Sequence, residues 1–204
     1  MSSICIIPAR GGSRRIPRKN IRPFHGKPIM AYSIEAAKVS GLFDRIIVSS
    51  DDLEILDTAV HYGAEPFDRP PELARDDVGT YDVTRETFMA LDGWRDVGRV
   101  CCIYATAPML DITDLQLGRH YLERKPMGHV ISACYPHTYD AAQFYWSHAM
   151  SLVHRENYFG PGTTLLPVMP ERVCDINTPK DFHQALIMYS MLHNVPVNME
   201  EIIK

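Results

Sequence analysis

The feature that most constrains this chain is an alternation. Short apolar runs rich in Ile, Val and Cys take turns with segments whose apolar residues recur at helical spacing. Residues 4–8, 45–49, 64–67, 100–104, 130–135, 143–146 and 173–176 read as strands. Residues 27–40, 51–62, 80–94, 111–123 and 179–192 read as helices. Gly41 and Gly63 stand where the first two helices should stop. Asp111 stands at a capping position with Asp114 three residues on, and Pro179 opens the last helix. Strands alternating with helices imply parallel strands joined by right-handed crossovers. The expectation is one α/β domain with a mostly parallel sheet and flanking helices. The 204 residues contain no internal repeat and no low-complexity linker, and the length suits one core.

Composition narrows the function classes. A formal net charge of −4 argues against a general nucleic-acid binder. Cys5, Cys101, Cys102, Cys134 and Cys174 form no C-x-x-C pair, which points to reduced thiols and a cytoplasmic location. The N-terminus lacks a signal-peptide pattern, and no apolar run reaches the ~18 residues of a membrane span. His61, His120, His183 and His193 fall on expected helices as surface or core-edge residues, and no His/Cys cluster has zinc spacing. Tyr145 and Trp146 read as core.

Against this acidic background stands "IIPARGGSRRIPRKN", residues 6–20. It follows the first strand, and in open α/β sheets ligands sit beyond the carboxyl ends of the strands. Gly11 and Gly12 would let backbone N–H groups approach an anion, and Arg10, Arg14, Arg15, Arg18 and Lys19 add charge. The spacing is neither a Walker A loop nor G-x-G-x-x-G. A polyanion site is the favoured reading, with a solvated basic loop as the alternative.

"IPARGGSRRIPRKNI", "FDRIIVSSDD" and "YGAEPFDRP" resemble the cytidylyltransferases that activate nine-carbon acidic sugars, the CMP-sialic acid synthetase (acylneuraminate cytidylyltransferase) family. "VCCIYATAPML", "YDAAQFYW" and "RVCDINTPKDF" are most similar to its branch acting on pseudaminic acid. The resemblance covers nearly the whole chain. It implies a nucleotide-diphospho-sugar transferase (Rossmann-like) fold and transfer of CMP from CTP to the anomeric hydroxyl of pseudaminic acid, with release of pyrophosphate. Sialic or legionaminic acid is the alternative acceptor, and a non-catalytic nucleotide-binding homologue is the rival.

The family's residues carry over by position. Arg10, Ser13 and Lys19 match phosphate contacts, and Arg14 stands where the family usually has lysine; Gly11, Gly12 and Arg14 are expected beside them as nucleotide-binding residues. Asn20, Arg69, Asp77, Thr80 and Thr106 match the nucleotide's surroundings. A salt bridge to Asp68 or Glu72 remains an alternative for Arg69, and a helix cap or turn cap for Asp77, Thr80 and Thr106. Tyr104 and Gln143 are the expected sugar contacts. Arg10, Lys19 and Asp175 are the expected catalytic residues. Asp175 and Asn177 are the expected Mg²⁺ ligands, although the family usually has a second aspartate where Asn177 stands; capping the helix at Pro179 is their alternative role. Ala142 replaces a family glycine. Near 135–140 the family has a few dozen more residues, an arm with dimer contacts. The resemblance implies a homodimer; here only Pro136 to Tyr139 bridge the place of that arm, which is either lost or lies outside these 204 residues.

Overall fold

The computed structural model describes residues 1–136, 139–154, 157–198 and 200–201. In chain order the strands are β1 (Ser2–Pro8), β2 (Pro23–Phe24), β3 (Lys27–Pro28), β4 (Arg45–Ser50), β5 (Glu65–Asp68), β6 (Val97–Ile103), β7 (His129–Cys134), β8 (Tyr139–His148) and β9 (Thr163–Val168). The helices are α1 (Ile29–Ser40), α2 (Leu53–His61), α3 (Thr80–Ala90), α4 (Ile112–Glu123), α5 (Ala149–His154) and α6 (Pro179–His193). Seven strands form one sheet in the order β5-β4-β1-β6-β8-β7-β9, while β2 and β3 make a small separate ribbon.

β1 lies between β4 and β6, parallel to both. Its alternate residues serve opposite faces, as the two-residue period of a strand requires. Cys5 and Ile7 pack with Met30 and Ile34 of α1, Ile55 of α2 and Leu115 of α4. Ile4 and Ile6 pack with Tyr81 and Phe88 of α3 and Leu152 of α5. Burial on both faces is why this strand reads as an unbroken apolar run. α6 packs separately, its Phe182 and Leu186 against Phe24 of the ribbon.

The expected architecture holds, with differences. β8 runs antiparallel to both β6 and β7. It follows β7 after a short connection, and a parallel return needs a dozen or more residues. Residues 173–176 form no strand; β9 takes that place as the parallel partner of β7. α3 stops at Ala90, and Gly93, at φ 73°, turns the chain into a short 3-10 segment at Trp94–Asp96. Asp111 caps α4 by accepting from the Thr113 N–H. Asp114 instead pairs with Arg172.

Tyr145 and Trp146 are buried in the core. Cys5, Cys101, Cys102 and Cys134 are buried, Cys174 is half-buried, and all five are free. Burial pushes the Cys5, Cys101 and Cys102 thiols up. No described helix is long and apolar enough to cross a membrane. His137 and Thr138, where the family's arm would join, lie outside the described residues.

Candidate active site

A cleft of about 490 Å³ opens at the carboxyl ends of β1 and β6. Its lining is of two kinds, a basic wall of Arg10, Arg14, Arg15, Lys19 and Arg69 and a hydroxyl wall of Thr80, Tyr104 and Thr106, with Asp76 also in the lining. The loop after β1 builds most of the first wall, and Arg69 joins it from the end of β5. Asn20 is buried and closes that loop by donating from Nδ2 to the Arg10 carbonyl at 2.9 Å. Lys19 Nζ donates to the Ile176 carbonyl at 2.8 Å, tying the loop to the segment before α6. Burial lowers the Lys19 pKa, Asp175 opposes the shift, and Arg15 and Arg10 add to it.

Arg69 follows β5 and is only 4% exposed. Its guanidinium donates to the Ser49 hydroxyl at 3.2 Å and to the Ser49 carbonyl at 2.5 Å, rather than to Asp68 or Glu72. Burial lowers its pKa to about 10. That is still far above neutral pH, so the cation remains charged.

The second wall is neutral. Thr80 is the first residue of α3, behind a Gly79 cap that offers no side chain. The Thr80 hydroxyl lies 3.4 Å from the Tyr104 hydroxyl, and Tyr104 lies 2.9 Å from the Tyr145 hydroxyl. Tyr145 in turn donates to Asp140. Thr106 is buried in the turn after β6. One wall of cations and one of hydroxyls suits a ligand with a polyanionic end and an uncharged polar end.

The cytidylyltransferase family model matches residues 4–163. The chain belongs to the cytidylyltransferase family. It is similar to a pseudaminic acid cytidylyltransferase of Campylobacter jejuni subsp. jejuni, at 34% identity over 234 aligned positions, covering 95% of this chain and 98% of that one. A CMP-N,N'-diacetyllegionaminic acid synthase of Legionella pneumophila is 47% identical over 77 residues, covering 37% of this chain and 33% of the relative. A solved CMP:2-keto-3-deoxy-manno-octonic acid synthetase complexed with CTP superposes with a TM-score of 0.73 at 14% identity, over 96% of this chain and all of that one, and shares the fold. The first alignment runs to 234 positions against a chain of 204 residues, so at least 30 positions of that relative have no counterpart here.

Within this cytidylyltransferase, several expected site residues sit elsewhere. Neither Gly11 nor Gly12 lines the cleft. The Gly11 N–H donates to Asp51 at 2.9 Å, and a Cβ on Gly11 would lie 2.7 Å from Asp52 Cβ. Gly11 therefore serves close packing against the turn before α2 and not the approach of an anion. Arg18 also turns away, to Asp52 at 2.5 Å and to Glu54. Asp77 is exposed and pairs with Arg75 at 2.5 Å, away from the cleft. Its neighbour Asp76, which sequence reasoning missed, lines the cleft and pairs with Arg10 at 2.5 Å and Arg14 at 2.9 Å. Gln143 is buried with Nε2 bonded to the Arg172 carbonyl, so it does not line the cleft either. Ala142 has φ 49°, so the family's glycine at this place answers a left-handed backbone.

Asp175 and Asn177 cap nothing. Thr178 caps α6 in a box with Asp181. Asn177 donates from Nδ2 to Asp175 at 2.5 Å and accepts from Arg15 on Oδ1 at 3.1 Å. The pair offers one carboxylate and an amide oxygen already engaged by a cation. Among the described residues no group of three or more His, Cys, Asp or Glu gathers as a metal site. A hard cation fits here only with oxygens brought by a substrate, which is how Mg²⁺ is usually held at phosphate sites.

Proposed function

We propose that this cytidylyltransferase transfers CMP from CTP to the anomeric hydroxyl of a nonulosonic acid, with pseudaminic acid as the preferred acceptor. The observation that carries the reading is the two-walled cleft. Five cations line the cleft where a triphosphate would lie, and uncharged hydroxyls share it with them. The anomeric oxygen bonds to the α-phosphorus, the bond from that phosphorus to the oxygen bridging to the β-phosphate breaks, pyrophosphate departs, and the hydroxyl proton passes to solvent water. Arg10, Arg14 and Lys19 stabilise the charge that builds on the phosphates, and Ser13 and Asn20 shape their loop. Asp175, with Asn177 beside it, would hold Mg²⁺. When bound, Mg²⁺ neutralises phosphate charge and steadies the leaving group. Thr80, Tyr104 and Thr106 orient the uncharged part of the ligands.

The similarity to a pseudaminic acid cytidylyltransferase along nearly the whole chain supports the acceptor. We assign the unmatched positions of that relative to the family's arm near 135–140, which would leave a dimer to other surfaces. Free thiols support a cytoplasmic setting.

The test is pyrophosphate release from CTP with pseudaminic, legionaminic and sialic acids in turn. Fastest turnover with pseudaminic acid is the expected result. No release with any acid, while CTP still binds in calorimetry, would make the chain a nucleotide-binding homologue without this activity.

A further inference from the structure

The neutral wall contains a chain of hydroxyls whose direction is set by a carboxylate. Asp140, on β8, accepts from the Ala142 N–H at 2.9 Å on one oxygen and from the Tyr145 hydroxyl on the other. Tyr145 therefore spends its single proton on that carboxylate oxygen. The Tyr145 oxygen also lies 2.9 Å from the Tyr104 oxygen. With its proton already committed, Tyr145 can only accept, and Tyr104 must donate to it. The Tyr104 proton therefore points into the protein. What Tyr104 leaves towards the cleft is oxygen lone-pair density. The Thr80 hydroxyl at 3.4 Å is too far for a full O–H···O bond, so that acceptor capacity is largely unspent. Tyr104 and Thr80 both line the cleft.

We infer that Asp140 and Tyr145 are positioning residues that hold Tyr104 as a hydrogen-bond acceptor, in a cleft otherwise rich in cationic donors, so that the cleft selects a substrate O–H or N–H at this point. The inference rests on the proposed function for the identity of the substrates. Two sources carry such a donor: a hydroxyl or amide N–H of the sugar acid, and the amino group of the base. Burial keeps the chain's direction stable, because it pushes the Tyr104 phenol up to about 12 and the Tyr145 phenol higher. Neither gives up its proton near neutral pH. Tyr145 is itself core, packed on Tyr158 with ring centroids 4.5 Å apart, so its ring cannot swing to reverse the order.

A double-mutant cycle tests this with pyrophosphate release from CTP and pseudaminic acid. Tyr145→Phe keeps the ring and removes the acceptor for the Tyr104 proton. It should raise one KM about fivefold with the other unchanged, and should add nothing in a Tyr104→Phe background. A rise in the KM of pseudaminic acid assigns the donor to the sugar; a rise in the KM of CTP assigns it to the base. No rise in either, or the same rise with and without the Tyr104 hydroxyl, overturns the inference. A second readout needs no turnover. In protein labelled with ¹³C at tyrosine Cζ, Asp140→Asn should displace the resonances of both Tyr145 and Tyr104. Displacement confined to Tyr145 overturns the relay. If the wild type turns over none of the acids, the proposed function fails, and these resonances alone judge the inference.

Discussion

The two walls of the cleft are built by different means. The basic wall consists largely of charged side chains on a loop, each held by a partner distant in sequence: Arg10 by Asp76, Arg15 by Asn177, Lys19 by the Ile176 carbonyl. Several of these groups are solvent-accessible, and Arg14 keeps 85% of its side-chain surface. The hydroxyl wall stands at the ends of β6 and α3, with Thr106 buried and Thr80 and Tyr104 half-buried, and is backed by the buried Tyr145 of β8. Water can solvate charges until a ligand arrives, so a loop suffices for them. A neutral hydrogen-bonding group has a defined direction only if its own partners are fixed, and that needs the sheet.

Arg69 tests that division hardest, because it belongs to the basic wall by charge and to the sheet by its bonds to Ser49. Arg69→Ala should weaken CTP binding tenfold or more. It should also destabilise the fold by about 2 kcal/mol, because a charged donor leaves a buried carbonyl, and lower Tm by roughly 4–8 °C. Calorimetric titration and thermal unfolding read the two effects. A loss of affinity without a loss of stability would place Arg69 with the loop charges alone.

Arg10→Ala should behave as a loop change only. CTP affinity should fall about tenfold, the worth of a charge-assisted contact, with Tm almost unmoved. Equal affinities in calorimetry would remove Arg10 from the phosphate site.

Asn177→Asp tests the proposed Mg²⁺ site beside the basic wall. A second carboxylate should lower the Mg²⁺ concentration for half-maximal activity several-fold. An unchanged requirement would refute the assignment of this pair to the metal.

On the hydroxyl side, Ala142→Gly should relieve a left-handed residue at φ 49°. The gain, after glycine's greater entropy loss, should be roughly 0.5–1 kcal/mol. Unfolding should show it as a slightly higher Tm, with CTP affinity unchanged.

The smallest effect is expected from Asp76→Asn. It removes the anion that pairs with Arg10 and Arg14 and competes with an incoming phosphate. An exposed pair is worth about 0.2–1 kcal/mol. CTP affinity should therefore rise by no more than about fivefold at low salt, and the gain should fade at high salt. Weaker binding by this variant would mean that Asp76 shapes the loop and does not compete for it.

Much of this was legible in the sequence, because local rules decide it. The alternation of elements follows from side-chain period, the cap at Asp111 from its position before a helical run, and the basic wall from charge grouped after a strand. The wrong choice between Asp76 and Asp77 shows the limit. Two adjacent aspartates have the same chemistry, and only the direction of each side chain in the folded segment separates them. Gln143 and Tyr104 differ in the same way: strand register leaves one buried beside Arg172 and the other open to the cleft.

The sequence by itself determined that an α/β sheet would form and that positive charge would gather at the end of β1, since hydrophobic period and local charge act over a few residues. Only the tertiary structure decided that β8 would run antiparallel, that Asp76 would face Arg10 and Arg14, and that Asp140 would reach Tyr104 through Tyr145. Those outcomes depend on which groups meet across long stretches of chain. A hydrogen bond takes its direction from both of its partners, so no single stretch of residues can state it.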